Sequence, residues 1–91
     1  MNSIRPYKEM NISNRKIRKF NNTLSENSLK WHRDKNNRKI TVISGKNWKI
    51  QFENKIPFEL IEGCSYNIES KNWHRLIKGN SDLIIEIEEI I

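Results

Sequence analysis

The chain has 91 residues, 35% of them hydrophobic and 31% charged, and a formal net charge of +6. That length holds one domain and excludes a two-domain enzyme, and a domain so small exposes enough surface that a homodimer is expected to help it. No apolar run reaches the roughly 18 residues of a membrane span and no apolar leader opens the chain, so a soluble, cytoplasmic protein without a membrane partner is expected.

The positive charge sits at the front. Residues 1 to 39 carry 11 Lys and Arg against 3 acids, whereas residues 40 to 91 carry 6 against 8. Residues 1–25 therefore read as a basic N-terminal arm or an edge strand, and residues 26–91 as the folded barrel. Ile12, Ile17 and Phe20 could line a helical face, but Lys16–Phe20 reads better as an edge strand whose cations discourage stray pairing. A basic arm could touch a polyanion, but charge runs are usually solvated and no nucleic-acid motif is present, so no nucleic-acid partner is expected.

From about Leu29 the chain reads as short strands. The blocks are Ser28–Trp31, Arg38–Ser44, Trp48–Phe52, Phe58–Ile61, Ser65–Ile68, Trp73–Ile77 and Leu83–Ile90, rich in β-branched and aromatic residues. Turn residues at Gly45-Lys46-Asn47, Asn54 to Pro57, Gly63 and Gly79-Asn80-Ser81 separate them at intervals of about 8 to 12 residues, the spacing of a sandwich or barrel. The fold class is all-β. Within Arg38–Ser44, Ile40, Val42 and Ser44 face one way and Lys39, Thr41 and Ile43 the other; Ile85 and Ile87 likewise oppose Glu86 and Glu88. A lone cysteine, Cys64, excludes an internal disulfide and is expected to be a plain buried residue.

Chemistry concentrates in two segments. In W-H-R-D, His32 and Asp34 stand two apart and would share a face of a strand; N-W-H-R holds His74 between Trp73 and Arg75. If the two segments are neighbours, two imidazoles and a carboxylate converge, the facial ligand set that suits Fe(II) and admits Mn, Ni or Zn. The plainer reading is that the histidines are satisfied polar groups and that Asp34 pairs with Arg33 or Arg38.

These segments resemble the two motifs of the cupin family. In H-R-D-K-N-N-R-K-I-T-V-I-S-G, His32 stands at the first ligand position and Gly45 at the closing glycine, while Asp34 takes the second histidine position and Arg38 the glutamate position. In the second motif Gly63 and His74 are in register, with Glu69 and Lys71 replacing its proline and glycine. The resemblance implies a small double-stranded β-helix barrel binding one divalent metal ion through His32, Asp34 and His74. Arg38 cannot ligate a metal, so it turns out of the site or holds an anionic substrate. A finer resemblance, R-P-Y, K-I-R-K-F, L-K-W-H-R-D, V-I-S-G and W-H-R-L-I-K-G in order, is to the C-terminal cupin of type II mannose-6-phosphate isomerases and implies a sugar phosphate.

Two functions follow from the resemblance. One is a metal-dependent isomerase or oxygenase in which Arg38 or Gln51 orients a small polar or anionic substrate. The other is a non-catalytic module that has lost the metal and binds a sugar or metabolite in a barrel pocket walled by Trp31, Trp48 and Trp73, although buried tryptophans are more often core.

Overall fold

The computed structural model describes residues 5–90, so residues 1–4 and 91 of the two expected spans lie outside it. Among the described residues eight strands form two antiparallel sheets: β1 (Lys8–Ile12), β2 (Arg15–Phe20), β3 (Asn37–Ser44), β4 (Lys49–Phe52), β5 (Phe58–Glu59), β6 (Ser65–Ile68), β7 (His74–Ile77) and β8 (Leu83–Ile90). The larger sheet runs β1-β2-β8-β3-β6 and the smaller β5-β4-β7.

Alternation decides what lies between the sheets. Ile40 and Val42 of β3, Ile85 and Ile87 of β8 and Ile50 of β4 are buried together with Phe20, Trp48, Leu60, Ile68 and Leu83. Lys39 and Ile43 stay exposed, as the period of two requires.

The front of the chain is structural. β1 and β2 form a hairpin closed by Ser13-Asn14, and β2 is not an edge: it lies between β1 and β8, with Phe20 in the core. The cause is charge complementarity across the ladder. Acids alternate along the outer side of β8, and Arg15 bonds Glu86 at 3.2 Å, while Arg18 bonds Glu9 of β1 at 2.6 Å.

Two further expectations are corrected. Ser28–Trp31 is not a strand; Glu26–Ser28 forms a single 3-10 turn capped by Ser25, and the chain touches the sheet only through one bridge at His32. Cys64 is exposed, because it follows Gly63 (φ +85) in the turn that leads into the edge strand β6.

One glycine is required by close approach. A Cβ on Gly79 would collide with the Lys46 carbonyl and with Trp48. The two turns that meet there are laced by Asn80 N–H to Lys46 O at 2.9 Å and by the Trp48 indole N–H to Ser81 O at 2.6 Å. Trp48 is thereby a fully buried core residue and no part of a pocket wall.

Candidate metal centre

His32 and His74 are brought together by backbone pairing. Each donates its N–H to the other's carbonyl at 2.9 Å, so the two residues sit directly opposite and their side chains leave the same face. The rings meet edge to face at 4.3 Å between centroids. Asp34, two residues beyond His32, is carried to the same place, with its backbone carbonyl held by the Lys71 N–H at 2.8 Å. The candidate ligand atoms of His32, Asp34 and His74 all lie within 4.8 Å of one another.

The hydrogen bonds around the rings decide their chemistry. His74 Nδ1 donates to the Asn72 carbonyl at 2.7 Å and His32 Nδ1 to the Lys30 carbonyl at 3.1 Å. In a neutral imidazole that leaves the Nε2 lone pair free on both rings, the arrangement that a hydrogen bond from the other ring nitrogen imposes on metal-binding histidines. Burial pushes the His74 pKa below its usual value, and the nearby His32 and Arg38 charges act in the same direction; the Asn72 hydrogen bond and Asp34 oppose them. His74 is therefore neutral at pH 7.

Asp34 Oδ2 is buried without a hydrogen-bond partner and lies 3.4 Å from His74 Nε2. An unprotonated ring nitrogen and a carboxylate oxygen thus face each other, two electron-rich atoms whose approach calls for a cation or proton between them. The residues present fit a divalent metal ion on that observation.

Arg38 is where its sequence position raises doubt about a metal, and the geometry accounts for its charge. It shares the inward face of β3 with Ile40, and its guanidinium lies 3.1 Å from Asp34 Oδ1 and 3.2 Å from Glu89 Oε2. Glu89 stands directly opposite in β8. The guanidinium occupies one carboxylate oxygen, leaves Oδ2 toward His74, and has its own charge met by Glu89. It is a holder of Asp34.

Other expected site residues lie elsewhere. With His32 (exposed) and His74 (buried) leaving one face, their chain neighbours Trp31, Arg33, Trp73 and Arg75 leave the other, so the two tryptophans are 40% and 38% exposed on the outer face of the smaller sheet. Gln51 shares that outer face, accepting from Arg75 Nε at 2.9 Å and donating to the Lys55 carbonyl, away from the histidines. The residues that sequence reasoning passed over are Glu89 and Phe52. Phe52 pairs with His74 across β4 and β7, and its ring lies 5.9 Å from the imidazole. Beside His32 opens a cavity of about 200 Å³, walled by Tyr7, Phe20, Leu29 and Leu76.

Solved structures share this architecture. A cupin domain from Bordetella pertussis Tohama I superposes with a TM-score of 0.66 at 16% identity, covering 99% of this chain and 100% of that one. The chain has the cupin fold. A cupin-2 domain protein from Shewanella frigidimarina matches with a TM-score of 0.60 at 17% identity over 99% of this chain and 85% of its own. HppE, in its Fe(II) form in complex with substrate, matches with a TM-score of 0.67 at 14% identity over 99% of this chain, which spans 56% of that larger one. No family model and no curated protein matches the sequence. Among the described residues no helix is long and apolar enough to cross a membrane.

Proposed function

We propose that the chain is a small metal-binding cupin that holds one divalent cation on His32, Asp34 and His74 and binds a small polar or anionic metabolite beside it. The observation that carries this reading is the buried, unpartnered Asp34 Oδ2 facing an imidazole nitrogen whose ring proton is committed elsewhere. Fe(II) is the first metal to test, since the donor set is two imidazoles and one carboxylate and a structure of the same fold carries that ion.

The chemistry such an ion supplies is Lewis-acid polarisation of a ligand oxygen or activation of a bound small molecule. The chain's own residues set the conditions for it. Arg38 and Glu89 fix the carboxylate, the Asn72 and Lys30 carbonyls fix the imidazoles, and Phe52 shields the His74 ring from water. The cavity next to His32 is walled by Tyr7, Phe20, Leu29 and Leu76, so the ligand's apolar portion belongs there. A sugar phosphate, as the finer sequence resemblance implies, would need a phosphate contact other than Arg38, whose guanidinium is engaged by two carboxylates.

Cobalt(II) added to metal-free, untagged protein tests the reading through visible absorption. Ligand-field bands that saturate at one ion per chain in the wild type and vanish in His74→Ala are expected. A titration without such bands, or one unchanged by the substitution, overturns it.

A further inference from the structure

The cations of this chain are not equally engaged. Four of the six arginines are paired with acids: Arg5 and Arg18 with Glu9, Arg15 with Glu86, Arg38 with Asp34 and Glu89. Among the described residues Arg33 and Arg75 are the two arginines that pair with no carboxylate, and Lys35 and Lys71 near them in the chain are unpaired, as most of the lysines are. These four belong to the two segments joined at the His32 and His74 bridge. The two unmatched arginines therefore lie together beside the smaller sheet.

The same segments present Trp31 and Trp73, both more than a third exposed. Register makes them alternate with arginines: Arg75 lies over Trp31 at 4.9 Å and Arg33 over Trp73 at 5.2 Å. Between the indoles runs a cleft of about 440 Å³ bordered by Gln51, Glu53 and Asn54. Large aromatic rings are costly to leave in water, and here the adjoining backbone pairing holds them there.

From this arrangement we infer that the outer face of the smaller sheet binds single-stranded nucleic acid. Unpaired bases would stack on Trp31 and Trp73, phosphates would lie against Arg33, Arg75, Lys35 and Lys71, and the amides and carboxylate of the cleft would meet base edges. Charge complementarity argues for a polyanion, and the two aromatic platforms argue for one with flat rings free to stack. A duplex offers phosphates but keeps its bases inside. The surface is separate from the metal centre, because alternation sends it to the opposite face.

The test is fluorescence anisotropy of a labelled short oligothymidylate titrated with the full chain, with a duplex of equal length and heparin as comparisons. Single-strand binding that weakens with salt is expected, with a log–log slope of about −3 for four phosphate contacts at roughly −0.7 each. Trp31→Ala and Trp73→Ala should each weaken it by about 5- to 150-fold. Lys35→Gln and Lys71→Gln, exposed substitutions that leave the core untouched, should each flatten the slope by about 0.7. No binding at low salt overturns the inference. So does equal affinity for duplex and heparin, with tryptophan variants of native circular dichroism binding as the wild type does, since that describes a generic cationic surface.

Discussion

Replacing Asp34 with Asn separates folding from metal binding. Asp34 Oδ1 is 3.1 Å from the Arg38 guanidinium and Oδ2 faces His74 Nε2 at 3.4 Å with no hydrogen bond. The amide has the same shape. Its nitrogen can donate to His74 Nε2, a gain of about 1 kcal/mol, while its oxygen keeps a weaker bond to Arg38, a loss of about 1 kcal/mol. Metal-free stability should therefore change by less than about 1 kcal/mol, or by no more than about 4–8 °C in Tm for a domain of this size. Metal affinity should fall at least about 100-fold, because even the partners of metal ligands are worth about 10- to 100-fold and here a charged ligand is lost. Denaturant melts of both metal-free proteins and chelator-competition titrations measure the two quantities. A variant that keeps wild-type metal affinity refutes the reasoning, and a metal-free loss of about 3 kcal/mol or more would instead make Asp34 a structural partner of Arg38.

Three other outcomes follow from the geometry. His74 has a folded pKa below its ordinary 6.5, so its contribution to metal-free stability is fully present above that value and is lost as pH falls through the folded pKa; thermal melts across this range should show that decline, and His74→Gln should remove its share of it. Trp48→Ala should cost about 3–5 kcal/mol by melt, whereas Trp31→Ala should cost less than about 1 kcal/mol, since one ring is wholly buried and the other half in water; similar losses would contradict the assignment of one to the core and the other to the surface. Gly79→Ala should lower stability by about 1–3 kcal/mol as the added Cβ pushes the Lys46 and Trp48 backbone away, and a melt unchanged from wild type would show that the two turns do not pack as described.

Most strands were legible because β-branched residues and turn residues alternate at barrel spacing: Ser65–Ile68 and Leu83–Ile90 match the observed β6 and β8 to the residue, and Arg38–Ser44 misses β3 by one. Local pattern could not tell that the cation-rich β2 would lie inside the sheet. That depends on β8, whose acids are some seventy residues away and meet it only once the sheet has formed. The convergence of His32, Asp34 and His74 was legible from H-x-D and a distant histidine, although the strand geometry invoked for it is reduced to one bridge pair.

The tryptophans show how parity was missed. Trp31 and Trp73 adjoin the paired histidines and must face out, while Trp48 has the even spacing to Ile50 that takes it inward; grouping the three by residue type obscured this. Arg38 and Glu89 were each visible, but their pairing is a cross-strand register that the sequence does not display. Which arginines are matched by acids is likewise a matter of register. The front holds most of the charge, yet Arg5, Arg15 and Arg18 are matched by acids, whereas Arg33 and Arg75 are not and lie beside the exposed indoles.

The central claim is that His32, Asp34 and His74 hold a metal, and metal content tests it most directly. Untagged protein reconstituted anaerobically with Fe(II), Mn(II), Ni(II) or Zn(II), desalted, and measured by inductively coupled plasma mass spectrometry should retain one ion per chain with at least one of these metals. His74→Ala and Asp34→Ala treated identically should retain little. Wild-type protein that emerges without metal from every reconstitution would contradict the account and leave a barrel of cupin fold whose ligand binds without an ion.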